Sequence, residues 1–419
     1  MTPGRDLADR LAAVASRYTP DARKAKLELL ARLETARVGP AAALLRLHEA
    51  LCFLQAYPDD AEVLARVDRA LGAFPARVFF HADGLSRPAA PLTRALAGPL
   101  PVLRPAPRAL AETLIDAARV AMATRQRELH AFAYPNPDDV LVMDGDRGLR
   151  LAFFGIAPGF RLPLESYYAF LALKNGVPVS YGAGWELFGT LDFAINIFAS
   201  FRQGESALLA TEILRGYRRI FGMRTIVVDR YQLGHESTEA LRSGSFYFYH
   251  RLGFRPRDPA VLRVLAGEEA SLAADRSYRS PVPVLKRLAG GEVYLTLPGA
   301  DPEPEHRLRA TDVAGLVAGL VAREFGGDRV AAARESAARA RRALGVGRAR
   351  GWSREERRAF EQLSLVAALI PALARWPAAD KRALAALMRA KGGPSELAYA
   401  RRLDRHRRLR LRLEARAHG

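Results

Sequence analysis

Apolar runs separated by glycine-bearing turns fill the middle of the chain, a pattern typical of β-strands. The first run, 167–173, is followed by Asn175-Gly176 and a second run at 177–181. Asn-Gly favours a type I′ turn, because both central residues of that turn need a positive φ. The pattern therefore predicts a β-hairpin, after which Gly182 and Gly184 are expected to loosen the chain.

A third apolar run at 191–198 leads through a polar, glycine-bearing loop into a helix predicted to begin at Ala207, and a fourth run follows at 225–229. Such a corner presents unpaired backbone N–H groups and the positive end of a helix dipole. With Arg202 in the loop, it is a candidate site for a phosphate, although Glu205 places a negative charge beside it. Corners of this kind are common, so a purely structural role stays open.

Helical periodicity dominates both ends of the chain. Leucines at helical spacing recur through residues 1–75, and helices are predicted from residue 311 onward. We therefore predict an α/β fold in which helices flank a central mixed sheet, with helical N- and C-terminal regions. The predicted domains are 1–104, 105–300 with a core at 138–300, and 301–419.

Composition limits the class of protein. The chain has 419 residues, of which 49% are hydrophobic and 26% charged, as expected of a globular protein with a sizeable core. A single cysteine, Cys52, excludes an internal disulfide and agrees with a reducing compartment. The first residues lack a signal-peptide core, and the longest apolar run, 313–322, is too short to span a bilayer. A cytoplasmic location is expected.

The charge is strongly basic, with a net value of +19. Residues 401–412 of the predicted last helix hold seven arginines. This predicts an anionic partner, such as nucleic acid, the ribosome or an acidic membrane surface. The alternative is an arginine-rich but merely solvated helix face. No aromatic residues interleave with these arginines, so the stacking contacts of a single-strand binder are missing.

The segment 248–254 reads Phe-Tyr-His-Arg-Leu-Gly-Phe and follows the fourth predicted strand. Together with the earlier strand, loop and helix, it resembles the GCN5-related N-acetyltransferase (GNAT) superfamily. In that family a loop of the form Gln/Arg-x-x-Gly-x-Gly/Ala binds the pyrophosphate of acetyl-CoA through backbone amides, and an aromatic-Tyr-x-x-x-Gly-Phe signature ends a later helix. The resemblance implies a GNAT-like sheet in the central domain.

The resemblance also implies which residues bind acyl-CoA. With Gly204 as the fixed glycine, Phe201 occupies the first position of the loop motif and Ser206 the last, where the family has Gln/Arg and Gly/Ala. The implied cofactor-binding residues are Phe198, Ala199, Ser200, Phe201, Arg202, Gln203, Gly204, Glu205, Ser206 and Ala207.

Acyl transfer to an amine needs a neutral amine, a polarised carbonyl and a proton for the leaving thiolate. The resemblance gives the last role, that of general acid, to Tyr249. Asp192, His235 and Glu236 are candidates for the general base by position alone, and a chain of waters is an alternative to all three. No metal site is expected, because His235 and Glu236 are adjacent and a third ligand is missing.

The sequence thus favours an acyl-CoA-dependent N-acyltransferase, with acetyl-CoA as the expected co-substrate and an amine acceptor of open identity. The alternative is a GNAT-shaped binding module without turnover, whose basic helices hold a nucleic-acid or protein partner.

Overall fold

The computed structural model describes part of the chain, and the helices predicted for residues 1–75, with Cys52, lie outside that part. The described residues are 78–79, 84–123, 125, 127, 129–202, 204–300, 307–347 and 349–418.

Nine strands of the described chain form one sheet. They are β1 (Arg104–Pro105), β2 (Pro135–Asp144), β3 (Leu149–Ile156), β4 (Ser166–Lys174), β5 (Val177–Leu187), β6 (Thr190–Ile197), β7 (Thr225–Val228), β8 (Arg255–Pro256) and β9 (Val293–Thr296). Their order is β1-β2-β3-β4-β5-β6-β7-β9-β8. Neighbouring strands are antiparallel except β6 and β7, which are parallel. The prediction of an α/β fold with a mixed sheet flanked by helices is therefore confirmed.

The helices lie before, between and after the strands. They are α1 (Leu92–Ala97), α2 (Arg108–Ala123), α3 (His130–Ala133), α4 (Ser206–Phe221), α5 (Arg230–Leu233), α6 (Thr238–Ser243), α7 (Ser245–Arg251), α8 (Pro259–Ala274), α9 (Val282–Leu288), α10 (Ala310–Phe325), α11 (Arg329–Leu344), α12 (Arg354–Ala368), α13 (Ala378–Ala390), α14 (Glu396–Arg405) and α15 (Arg407–His418).

The hairpin predicted around Asn175-Gly176 is present as β4 and β5, with positive φ values of 49° and 77° at the two turn residues. The expectation that Gly182 and Gly184 loosen the chain is wrong, because β5 continues through both to Leu187. Glycine is needed at 182 for space: a Cβ there would lie 2.1 Å from the backbone oxygen of Ala194 on β6. The glycines let β5 pack tightly rather than end it.

Each face of the sheet packs against a different helix. On one face α4 contributes Ile213 and Tyr217 to a buried cluster with Phe153 and Phe170. On the other face α2 packs its apolar side over residues such as Phe154. Both faces of the central strands are therefore buried, which explains their nearly continuous apolar sequences.

The C-terminal helices α10–α15 enclose a third apolar cluster, which includes Leu164 and Leu187 next to the sheet. The last predicted helix is in fact two, α14 and α15, separated by His406. The capping box predicted at Ser353 is present, since its hydroxyl accepts from the N–H of Glu356 at 3.0 Å and Glu356 accepts from the N–H of Ser353 at 2.8 Å.

The turn between α13 and α14 docks onto the sheet through buried polar groups. Arg161 donates to the backbone oxygens of Lys391 (2.8 Å) and Gly393 (2.7 Å), which end α13. Asp139 on β2 accepts from the N–H of Glu396 (2.9 Å) and so caps the start of α14. These hydrogen bonds satisfy helix ends that would otherwise be buried without partners.

Glu186 on β5 is a buried carboxyl close to this junction. One oxygen accepts from the N–H of Gly189 at 2.6 Å, and the other has no hydrogen-bond partner among the described residues. Burial raises the pKa of Glu186 to about 8; nearby Asp404 also raises it, while the Gly189 N–H, Arg224 and Lys391 oppose the rise. The folded protein therefore holds a proton here that an unfolded chain releases above its ordinary pKa of about 4.3.

The stability should depend on pH through Glu186. At pH values between the unfolded-state pKa and the folded-state pKa of Glu186, the folded protein binds one more proton than the unfolded chain. The free energy of unfolding therefore falls as pH rises through this range. In Glu186→Gln, which keeps the shape and removes the titration, we expect the loss of stability between pH 5.5 and pH 8 to shrink by roughly 3 kcal/mol. Urea unfolding at both pH values measures it. An equal loss in wild type and variant would contradict the assignment.

Candidate functional site

The parallel pairing of β6 with β7 is short. Their paired residues extend only from Thr190 opposite Thr225 to Asp192 opposite Val227. β6 then continues to Ile197, while β7 ends at Val228 and Asp229 caps α5 by accepting from the N–H of Tyr231 at 2.8 Å. The two strands therefore separate, and a gap opens in the middle of the sheet.

The open edge of β6 offers backbone hydrogen-bonding groups to this gap. Phe198 donates to the backbone oxygen of Val179 on β5 at 3.0 Å, which fixes Asn196 and Ala194 as the residues that bond to β5. The alternate residue Ile195 then directs its N–H and C=O toward the gap. An extended ligand carrying amides could pair with this edge as an added strand does.

A cavity of about 1070 Å³ occupies the gap and reaches both faces of the sheet. On the α4 face it is lined by Ser206, Ala207 and Tyr249. On the α2 face it is lined by Tyr181 and Trp185. Two reactants could therefore enter from opposite faces and meet between the separated strands.

The loop after β6 forms one wall of the cavity. A short 3₁₀ turn at Ala199–Phe201 leads to Gly204, and α4 begins at Ser206. Arg202, Gly204, Ser206 and Ala207 all line the cavity. Because the first N–H groups of a helix have no partner inside the helix, the start of α4 is suited to an anion, and the binding of a phosphate there stays a prediction.

Glu205 does not oppose an anion there, because its carboxylate is engaged elsewhere. It is buried, lies 2.7 Å from Lys174 Nζ, and accepts from the backbone N–H of Ser86 at 2.9 Å. Glu205 is absent from the cavity lining. Its charge is thus neutralised, and it attaches the segment before α1 to the loop.

The other residues of the implied cofactor loop are placed differently. Phe198 is buried, with the Arg125 guanidinium 3.8 Å from its ring centre, and Ala199 is exposed. Phe201 packs against the buried apolar clusters of both faces. The structure does not describe Gln203 or the side chain of Ser200.

Tyr249 lies on α7 and its hydroxyl has no hydrogen-bond partner among the described residues. The side chain is 2% exposed and packs against Phe254, whose N–H bonds to the backbone oxygen of Tyr249 at 3.1 Å. Gly253 makes this return possible with a φ of 102°. Burial raises the pKa of Tyr249, so the hydroxyl keeps its proton at the cavity wall.

The three candidate bases do not line the cavity. Asp192 accepts two hydrogen bonds from Arg307, at 2.6 and 2.8 Å. Burial raises the pKa of Asp192, and the contact with Arg307 opposes the rise. His235 lies 3.7 Å from Glu236, whose side chain is 81% exposed. The structure thus brings only Tyr249, of the four catalytic candidates, to the cavity.

Sequence reasoning missed the charged group at the cavity mouth. Glu239 on α6 accepts from Arg202 at 2.5 Å and from Arg127 at 2.6 Å, and all three residues line the cavity. The hydrogen bonds from Arg202 and Arg127 lower the pKa of Glu239, which makes it a poor proton acceptor. The three residues lie far apart in sequence and form no motif, so only the fold could have identified them.

The cavity is basic overall. Glu239 is its one acidic lining residue in the described chain, against four arginines: Arg87, Arg127, Arg202 and Arg251. No histidine of the described residues lines it. The arrangement can attract an anionic ligand, hold it at the start of α4, and offer a protonated hydroxyl to its reacting end.

Comparison of the chain with protein-family models, curated proteins and solved structures returns no match. Within the described residues, no group of three or more histidine, cysteine, aspartate or glutamate side chains could hold a metal ion. No described helix combines the length and apolar character needed to cross a bilayer.

Glu239 should compete with an anionic ligand for the two arginines. Glu239→Gln keeps the shape of the side chain and removes its charge. We therefore expect inorganic pyrophosphate to bind about threefold to tenfold more tightly, because the interaction of a partly screened pair of charges is worth about 1 kcal/mol. Isothermal titration calorimetry at low salt measures it.

The matched control is Glu236→Gln, which removes an exposed carboxylate outside the cavity. It should leave pyrophosphate affinity within a factor of two. An equal gain in both variants would mean that overall charge, and not the Arg127–Glu239–Arg202 contact, controls binding.

Proposed function

We propose that the chain is an acyl-CoA-dependent N-acyltransferase of the GNAT type, with acetyl-CoA as the expected donor. The observation that carries the proposal is the gap between β6 and β7, with an anion-suited helix start at one end and Tyr249 on its wall. The order β6, loop, α4, β7 and later α7 is also the order that the sequence resemblance implies.

The donor would lie along the open edge of β6. Its diphosphate would meet the backbone N–H groups at the start of α4 and the Arg202 side chain. Its amide-bearing arm would pair with the edge of β6 around Ile195. This places the thioester in the gap, where the acceptor amine can reach it from the α2 face.

In the reaction the amine nitrogen attacks the thioester carbonyl carbon, and the carbon–sulfur bond breaks as the amide forms. The Tyr249 hydroxyl donates a hydrogen bond to the sulfur as negative charge develops there. Complete proton transfer from this hydroxyl is uphill, because burial raises its pKa while an alkyl thiol has a pKa of about 8.5. The proton that ends on sulfur therefore comes from the ammonium formed by attack, relayed through the hydroxyl or through water.

Among the described residues of the cavity wall, none is suited to take a proton from the acceptor. Glu239 is held by two arginines, and Asp192, His235 and Glu236 lie outside the lining. We propose that the acceptor enters as a neutral amine or loses its proton to water. The reaction rate should then rise with pH until the pH reaches the pKa of the acceptor amine.

Calorimetric titration with acetyl-CoA tests binding directly. The proposal expects saturable binding that acetyl-pantetheine, which lacks the diphosphate and nucleotide, reproduces only weakly. The absence of heat at millimolar acetyl-CoA would overturn it and favour the alternative of a binding module. Saturable binding without release of free thiol in the presence of an amine panel would place the chain among acyl-CoA binders without turnover.

Tyr249→Phe tests the role of the hydroxyl. We expect kcat to fall roughly tenfold to a hundredfold, because one hydrogen bond to the leaving sulfur is lost, while the Kd for acetyl-CoA stays within a factor of two. Tyr247→Phe is the matched control on the same helix, since its hydroxyl bonds to Ser280 at 2.6 Å and does not line the cavity. A kcat unchanged in Tyr249→Phe would remove this residue from the mechanism.

A further inference from the structure

Most of the net positive charge of the chain is in its C-terminal region. Residues 307–419 contain 24 arginines and two lysines against eleven acidic residues, a net charge of +15 out of +19 for the whole sequence. The cavity between β6 and β7 accounts for little of this excess. The proposed acyl transfer therefore leaves the basic helices without a role.

The acidic residues nearest the end of the chain are already paired. Asp404 lies 2.6 Å from Arg224, and Asp380 lies 2.6 Å from Arg408. Glu414 lies 2.7 Å from Arg410 on the same helix. These carboxylates therefore do little to neutralise the remaining arginines.

Helix α14 directs its arginines outward. It buries Glu396, Tyr399, Ala400 and Leu403 against the rest of the protein. The opposite side carries three exposed arginines. α15, which buries Leu409 and Leu413, carries four more, of which Arg408 pairs with Asp380, Arg416 lies in the last turn, and the other two extend the set. We call this set the arginine face: Arg401, Arg402, Arg405, Arg407 and Arg412.

The arginine face forms few contacts within the protein. No carboxylate of the described chain lies within ion-pair distance of its members, and Arg402 donates only to the backbone oxygen of Ala398 in its own helix (2.9 Å). Packing does not require arginine at these exposed positions. Five guanidinium groups that pair with no carboxylate of the described residues lie on these two consecutive helices, and their charges add to a positive local potential.

We propose that the arginine face binds the phosphate backbone of a duplex nucleic acid. Guanidinium groups match phosphate oxygens in a bidentate geometry, and adjacent exposed arginines can follow a row of phosphates. A duplex fits better than a single strand, because single-strand binders also need exposed aromatic side chains on which bases stack. The exposed large apolar residues of the described C-terminal helices, Val330 and Leu411, are aliphatic.

A membrane surface is the less favoured anionic partner. Stable binding to a bilayer usually combines basic residues with apolar side chains that insert among the lipids. On the arginine face Leu411 is the one large apolar side chain that is exposed in the described part of α14 and α15. The contacts available are thus mainly electrostatic and suited to phosphates at a solvated surface.

The test uses the full chain and a fluorescein-labelled DNA duplex of 20 base pairs, with anisotropy measured from 50 to 300 mM salt. Five arginine–phosphate contacts predict a plot of log K against log salt with a slope of about −4.5, at roughly 0.9 per contact. The triple variant Arg401→Gln, Arg402→Gln, Arg405→Gln should reduce the slope by about two to three units and weaken binding at 100 mM salt at least tenfold.

The matched control removes three exposed arginines from α11 instead: Arg329→Gln, Arg334→Gln and Arg342→Gln. It has the same net charge as the first variant and should lose less than threefold in affinity. Equal losses in both variants would overturn the proposal in favour of diffuse attraction. Tighter binding to vesicles containing phosphatidylserine, or to a 20-nucleotide single strand, would also overturn it.

Two further measurements separate folding and catalysis from duplex binding. Circular dichroism confirms that each variant is folded, and acetyl-CoA titration should be unchanged in both, because the arginine face is not part of the cavity. If the first variant does not fold, phenylglyoxal modification of the wild type with and without the duplex tests the proposal instead. The duplex should protect Arg401 and Arg405 from modification and leave Arg329 reactive. Protection of all three, or of none, would contradict the proposal.

Discussion

The short parallel contact between β6 and β7 is the constraint on which the site depends. Three residues of each strand pair, and then β6 stays with β5 while β7 gives way to a capped helix. A strand edge in the middle of a sheet is usually covered by its neighbour, because unpaired backbone groups are costly to bury. Here the edge faces a cavity instead, where a ligand or water can satisfy it.

The walls of this cavity combine three properties. Backbone N–H groups at the start of α4 favour negative charge, four arginines reinforce that preference, and Tyr249 supplies a buried hydroxyl that stays protonated. Glu239 balances part of this positive charge. Its contacts with Arg127 and Arg202 join the segment after α2 to the loop before α4.

The C-terminal helices are joined to the sheet by directional contacts as well as by apolar packing. Arg161 closes α13 and Asp139 caps α14, and both are almost completely buried. The Arg161 guanidinium also lies 3.9 Å from the Asp139 carboxylate, so removing either side chain would leave the other charge buried without compensation, which costs several kcal/mol. Contacts of this kind fix the orientation of α14 and thereby direct the arginine face to the surface.

The sequence by itself determined the local elements and the type of fold. Asn175-Gly176 specified its turn because few other residue pairs accept two positive φ values, and the run from Phe248 to Phe254 predicted a role for Tyr249 through its resemblance to a family signature. The same local reasoning failed at Gly182, because a glycine that makes room for a neighbouring strand has the same sequence signal as one that ends a strand. Only the tertiary structure decided which side chains meet. In the folded protein Glu205 contacts Lys174, Asp192 pairs with Arg307, and Glu239 lies between two arginines. The sequence could not predict these contacts, because contacts between residues far apart in the chain leave no periodic pattern in the sequence.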